Sequence, residues 1–268
     1  MRKKFFLLAM LSCFMCLTTT AWGKVVGRTV AYTAGDTRLT GYLAEDAAIR
    51  SAGRKPAVLV VHEWWGQNEY ARKRARMLAK QGYVAMAIDM FGNGKIATHP
   101  DDAGRFAGEL TKNRELAEQR FDAALAYLRK QPSVDPERVA AIGYCFGGGI
   151  VLQMARQGKD LKGVASYHGT LATDAPAQPG GVRARVLVFN GEADKMVPAD
   201  QVAAFKEEME KAGVSYQYVG YPGVKHSFTN PDANRLAKKF DLPLAYDAKA
   251  DLDSWSQTLQ FLREIFRR

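Results

Sequence analysis

A cysteine with glycines two residues away on either side opens the chemistry of this chain: Gly143-Tyr144-Cys145-Phe146-Gly147, continued by Gly148 and Gly149. It follows the apolar run Val139-Ala140-Ala141-Ile142 and precedes a segment of helical spacing, Ile150–Arg156. This is the Gly-x-Ser-x-Gly nucleophile turn with sulfur in place of oxygen, in the strand–turn–helix setting that the turn requires. Glycines there let strand and helix pass close together. The free N–H groups of the helix start place positive potential beside the sulfur. Such a thiol calls for an acid and a histidine later in the chain, in that order. Gly191-Glu192-Ala193-Asp194-Lys195-Met196-Val197-Pro198 follows the apolar run Val186–Phe189 and offers Asp194, with Glu192 as a weaker alternative. Gly223-Val224-Lys225-His226-Ser227-Phe228 offers His226. Singly, an aspartate before a helix is an ordinary N-cap and a loop histidine an ordinary surface residue. The ordered set of three is far more specific and points to attack of a thiol on an acyl carbonyl.

The elements that must position these residues alternate. Arg28–Thr33 and Thr37–Leu43, around Gly35-Asp36, read as a hairpin. Ala57–Val61 is a continuous apolar run, the pattern of a strand buried on both faces. A helix over Asn68–Lys80 follows, with 71, 75, 78 and 79 inward and Arg72, Lys73, Arg74 and Arg76 as its solvated face. Further strands are expected at Tyr83–Ile88, Arg138–Gly143, Gly163–Tyr167, Ala184–Phe189 and Ser215–Tyr221. One long helix is expected from about Asp101 to Lys130, and others over 150–156 and 200–211. A C-terminal helix would bury Leu252, Trp255, Leu259, Leu262 and Phe266. Strands separated by helices imply an α/β fold with a mostly parallel sheet, helices on both faces and an N-terminal antiparallel hairpin. Asp194 and His226 then lie beyond strand C-terminal ends, where such sheets place their sites. No linker or repeat divides the chain, so 24–268 is expected to be a single domain.

Composition narrows the function classes. The chain has 268 residues, 47% apolar and 25% charged, which excludes disordered, collagen-like and disulfide-stapled classes. Arg2-Lys3-Lys4, the apolar run Phe5–Leu17 and Ala21-Trp22-Gly23 have the order of a secretory signal peptide. Residues 1–23 are therefore expected to be removed, and the protein to be periplasmic or secreted; lipidation at Cys13 is the lesser alternative. The net charge of +10 becomes +7 without that segment, from 35 basic and 28 acidic residues. A balance of that size, spread over a surface, gives no reason to expect nucleic-acid binding. Cys145 is then the one cysteine of the mature chain. His62 and His99 lack metal-ligand spacing, and no dinucleotide or phosphate-loop fingerprint occurs, so neither metal nor cofactor is expected. His168, after another strand, is either a pocket residue or a structural one.

The three loops, with Val60-Val61-His62-Glu63-Trp64-Trp65-Gly66 after the first buried run, resemble the dienelactone hydrolase family of the α/β-hydrolase fold. The likeness runs from about residue 27 to the C-terminus. By that resemblance Cys145 is the nucleophile, Asp194 the acid and His226 the base. Glu63 would contact the resting nucleophile, its charge disfavouring the thiolate until substrate displaces it. The backbone N–H groups of Trp64 and Phe146 would form the oxyanion hole. Where lactone-cleaving members carry an arginine for the substrate carboxylate, this chain has Asn230; Arg105 is nearest to a second family arginine. Trp64 and Trp65 are candidate walls of an apolar pocket, and Trp65, Arg105 and Asn230 are the expected substrate contacts. The resemblance implies a monomeric, cofactor-free hydrolase of small esters or lactones, working through a thioester acyl-enzyme and free of the membrane after signal cleavage. An amidotransferase- or peptidase-like cysteine hydrolase would need a glutamate close after the late histidine, where Ser227-Phe228 stands. A non-catalytic binding protein on the same fold would show a broken constellation, whereas all four candidate residues are present.

Overall fold

Hairpin formation around Gly35 starts the structure. This is a computed structural model that describes residues 24–47 and 53–267; the expected targeting segment, 1–23, lies outside the described residues. Strands β1 (Val25–Ala34) and β2 (Thr37–Asp46) pair antiparallel, with Gly35 at φ +54° in the turn between them. The remaining strands are β3 (Lys55–Val61), β4 (Val84–Ala87), β5 (Val134–Tyr144), β6 (Gly163–Tyr167), β7 (Arg185–Gly191) and β8 (Tyr216–Tyr221). Among the described residues seven helices accompany them: α1 (Glu69–Ala79), α2 (Pro100–Lys112), α3 (Arg114–Arg129), α4 (Phe146–Arg156), α5 (Ala199–Lys211), α6 (Ala233–Phe240) and α7 (Ala248–Phe266). All strands join one sheet in the order β1-β2-β4-β3-β5-β6-β7-β8. The β1–β2 and β2–β4 pairings are antiparallel and the rest parallel.

The unbroken apolar runs make sense in this sheet, because each face needs its own core. Ala57, Leu59 and Val61 of β3 face Phe121 and Leu125 of α3 and Ile150 of α4. Val58 and Val60, pointing the other way, face Leu78 of α1 and Phe261 and Leu262 of α7. The central strands are buried on both sides, as parallel strands covered by helices must be.

Several helices depart from the sequence expectation. The long helix is two, α2 and α3, parted at Asn113, whose backbone leaves the helical region (φ −124°, ψ 87°). Its side chain accepts the Leu116 N–H at 3.0 Å, so an asparagine that can cap a new helix ends the old one. The last helix is rotated from the expected face. Leu252 is 72% exposed, while Ser254 and Thr258 are fully buried. Their hydroxyls find partners there, Thr258 with the Tyr167 hydroxyl at 2.5 Å and Ser254 with the Asp251 carbonyl at 3.1 Å. Arg74 is not on a solvated face but buried on the inner side of α1. The sequence expectation does not include helix α6, although Ala233, Leu236, Ala237 and Phe240 recur at helical spacing; it is only eight residues long and Ala233 is its one fully buried side chain.

Candidate active site

Cys145 sits between β5 and α4 with φ 53° and ψ −117°, a region that costs a non-glycine residue about 1–3 kcal/mol. The surroundings impose this geometry. The Cys145 N–H donates to the Tyr167 carbonyl at 2.9 Å, and the Cys145 carbonyl accepts from the N–H groups of Gly148 and Gly149. A Cβ on Gly143 would lie 2.0 Å from the Gly147 carbonyl oxygen, and one on Gly147 2.4 Å from that of Val61. The turn therefore needs glycine at both places. The thiol is half-buried and projects at the carboxyl end of the sheet.

The loops after β7 and β8 bring the acid and the histidine together. His226 Nδ1 lies 2.7 Å from Asp194 Oδ2, and both residues are buried. The second Asp194 oxygen accepts the Met196 N–H at 2.8 Å, which fixes the carboxylate. Glu192, the weaker alternative, is exposed. The His226 carbonyl accepts the Ala245 N–H, tying the loop to the segment before α7. Burial opposes a charged His226 ring, but the neighbouring Cys145 and then Asp194 outweigh it and push the imidazole up to about 10. Its Nε2 is buried and has no hydrogen-bond partner among the described residues.

Cys145 and His226 share the wall of a cavity of about 220 Å³. Trp64, Phe146, Val197 and Leu244 supply apolar wall, Ala107 and Thr111 of α2 close one side, and Met196 lies at the exposed rim. Among the described residues, no lysine or arginine lines it.

Four further expected residues have partners of their own. Glu63 does not lie on the thiol: its Oε1 accepts from the Ser227 hydroxyl at 3.0 Å and its Oε2 from the Asn230 amide at 2.6 Å. A hydroxyl and an amide are better donors than S–H, so they hold the carboxylate. Burial raises the Glu63 carboxyl above its ordinary range, against the pull of those two donors. Asn230 is thereby a partner of Glu63, absent from the cavity at Cys145. Trp65 packs against Trp64 and Phe240 and lines a separate cavity on the far side of Trp64. Arg105 is exposed, paired with Asp102 at 2.6 Å and stacked over Phe106.

The two other buried histidines are structural in their bonding. His62 Nδ1 lies 2.6 Å from the Glu63 carbonyl, its Nε2 accepts the Met90 N–H, and burial lowers its pKa to about 4. His168 is outside the cavity, hydrogen-bonded to Thr229 and packed against His226. Sequence reasoning missed the group behind it, Arg74, Tyr70 and Thr229. Their one visible signal was the position of Arg74 between Ala71 and Leu78 on the apolar side of α1.

The dienelactone hydrolase family model matches residues 39–266. The chain belongs to that family. Among relatives, the Aquifex pyrophilus protein usf is 28% identical over 245 residues, covering 89% of this chain and 99% of its own length. A Synechocystis sp. protein named as a candidate carboxymethylenebutenolidase is 29% identical, covering 84% of this chain and 92% of its own. A solved dienelactone hydrolase-like promiscuous phosphotriesterase from metagenomic libraries superposes with a TM-score of 0.83 at 34% identity, covering 91% of this chain and 99% of its own. This dienelactone hydrolase family member is thus an α/β-fold hydrolase of the ester and lactone class.

Proposed function

We propose that this hydrolase cleaves neutral, apolar carboxylic esters or lactones through Cys145, His226 and Asp194. The observation that carries the reading is the cavity itself: a cysteine and a histidine in an apolar wall with no cation to receive a carboxylate. His226, beside Cys145 and bonded to Asp194, takes the thiol proton as the sulfur attacks. The sulfur attacks the carbonyl carbon, and the oxyanion is received by the N–H groups of Trp64 and Phe146, both of which line the cavity. Phe146 is the first residue of α4, so its N–H is one of the helix's unsatisfied donors. His226 returns its proton to the leaving alcohol, giving a thioester. Water then attacks that thioester, losing a proton to His226, and the acid and thiol are released; Asp194 holds the ring throughout. Glu63, bound to Ser227 and Asn230, supports the His226 loop rather than the thiol.

A neutral phosphotriester is the second substrate class, because the same uncharged cavity would admit it and a 34% identical relative is described as a phosphotriesterase. We also propose that the enzyme is exported after loss of residues 1–23, whose basic, apolar and small-residue order is that of a signal peptide, and that it works as a monomer. The expected host-derived protein begins near Lys24; Met1 on the bulk of it would end the export proposal. Short aryl esters, neutral lactones, a carboxylated enol-lactone and paraoxon should be compared on the purified mature protein. Turnover of the neutral esters, absent in Cys145→Ala, is expected. A strong preference for the carboxylated lactone would overturn the substrate class.

A further inference from the structure

Behind the His226 ring lies a buried polar chain that the mechanism above does not use. His168 packs against His226 with ring centroids 5.0 Å apart at 67°. It is fully buried, at φ 40°, with Phe228 also edge-on to it. Its Nε2 lies 2.8 Å from Thr229 Oγ1, which lies 2.7 Å from the Tyr70 hydroxyl. Tyr70 in turn accepts from Arg74 Nε at 3.3 Å. The same guanidinium donates through Nη2 to the Thr229 carbonyl at 2.6 Å and to Asp251 Oδ1 at 2.5 Å. The rings of Tyr70, Tyr144 and Trp255 surround it at 5.3 to 5.6 Å.

The donors in this chain have a direction. A guanidinium can only donate. Tyr70 accepts from it, and the next two contacts can be ordered so that Tyr70 donates to Thr229 and Thr229 to His168 Nε2. In that order Nε2 accepts and His168 is neutral with its proton on Nδ1, which is buried without a hydrogen-bond partner among the described residues. That neutrality matters, because a second cation 5.0 Å away would oppose the charge His226 carries in each half-reaction. Around the two imidazoles stand Cys145, Asp194, Glu63 and Arg74, with Asp251 and the hydroxyls of Tyr70, Tyr144 and Tyr167 beyond. Burial, followed by the charges on His226 and Arg74, lowers the His168 pKa well below its ordinary value.

We propose that Arg74, anchored by Asp251, is a positioning residue for His226. Through Tyr70 and Thr229 it fixes His168 as a neutral, Nδ1-protonated imidazole against the catalytic ring. Through the Thr229 carbonyl it holds the loop that carries His226. The inference rests on reading His226 as the general base, and its test separates the two.

Tyr70→Phe and Thr229→Val cut the proton-ordering chain while keeping the Arg74–Asp251 pair and the Thr229 carbonyl. Full-length mature protein is assayed on p-nitrophenyl butyrate for kcat, KM and pH profile, and its four histidines are followed by long-range ¹H–¹⁵N spectra. In wild type, His168 is expected as the Nδ1–H tautomer from pH 5 to 9. In each variant a tautomer mixture is expected, with kcat lower by about tenfold and KM within about twofold. The acidic limb of the pH profile should also move to higher pH as His168 becomes easier to protonate. Should Tyr70→Phe fail to fold, the nearly isosteric Thr229→Val decides. Turnover surviving in His226→Ala would overturn the general-base reading and this proposal with it. Loss there, with wild-type kcat, pH profile and His168 tautomer in both chain variants, would overturn the positioning role alone.

Discussion

The two sides of the His226 ring are built on opposite principles. In front, the cavity is apolar, open at Met196, and offers few hydrogen bonds to whatever enters. Behind, His168, Thr229, Tyr70, Arg74 and Asp251 are linked atom to atom, with a buried ion pair at the end. Hydrogen bonds fix geometry, whereas apolar walls accept any neutral group of suitable size. The difference teaches that the His226 ring is oriented from within the protein, leaving the cavity side free to vary.

The sharpest way to break this contrast is on the reacting atoms. Cys145→Ala should lower kcat/KM by about 10⁴-fold or more, and the Cys145→Ala/His226→Ala double variant should be little worse, because residues that act as a unit do not add. Asp194→Asn should cost about 10³- to 10⁴-fold through loss of the tautomer that Asp194 selects. Steady-state kinetics on a short aryl ester measures both.

Next comes the rear wall. Arg74→Met leaves Asp251 without its buried partner and should destabilise the fold by about 3–5 kcal/mol in urea denaturation. A loss below about 1 kcal/mol would mean that the apparently rigid side is as adjustable as the front. On the front side, a terminal carboxylate on the acyl chain should lower kcat/KM about ten- to a hundredfold against the neutral ester, because the cavity lining has no cation for it.

The smaller effects sharpen the picture of the resting site. Removing the Cys145 sulfur removes the largest influence that raises His226, leaving burial to oppose the cation with Asp194 alone. In Cys145→Ala the His226 imidazole should therefore titrate below its value of about 10, followed by ¹⁵N shifts. With Glu63 held by Ser227 and Asn230, Glu63→Gln should change the rate of Cys145 alkylation by iodoacetamide at pH 6 by less than about twofold. A markedly faster thiol in that variant would restore Glu63 to the nucleophile.

What the sequence showed, and what it hid, follows from distance along the chain. The Cys145 turn, Asp194 and His226 were legible because each lies in a short loop after an apolar strand, with glycines that the backbone demands. The parallel sheet was legible from runs such as Val58–Val61 that no solvated face could carry. The bond between Glu63 and Asn230 joins residues 167 apart, and nothing local tells which way either side chain turns. Trp64 and Trp65 are adjacent, yet they face different cavities. Arg74 was hidden by its charge among Arg72, Lys73 and Arg76, although its spacing from Ala71 and Leu78 marked it as inward. The break at Asn113 was hidden because the helices on both sides keep an apolar period across it.

That break has an evolutionary consequence. Helix α2 forms the outer side of the cavity through Ala107 and Thr111, yet only Ala103 and Leu110 of it are fully buried, against six residues of α3. Ending at Asn113, it is a separately capped wall of thirteen residues with few buried side chains, so that substitutions along it reshape the cavity at small cost to the sheet. New selectivity in this lineage should accumulate there first.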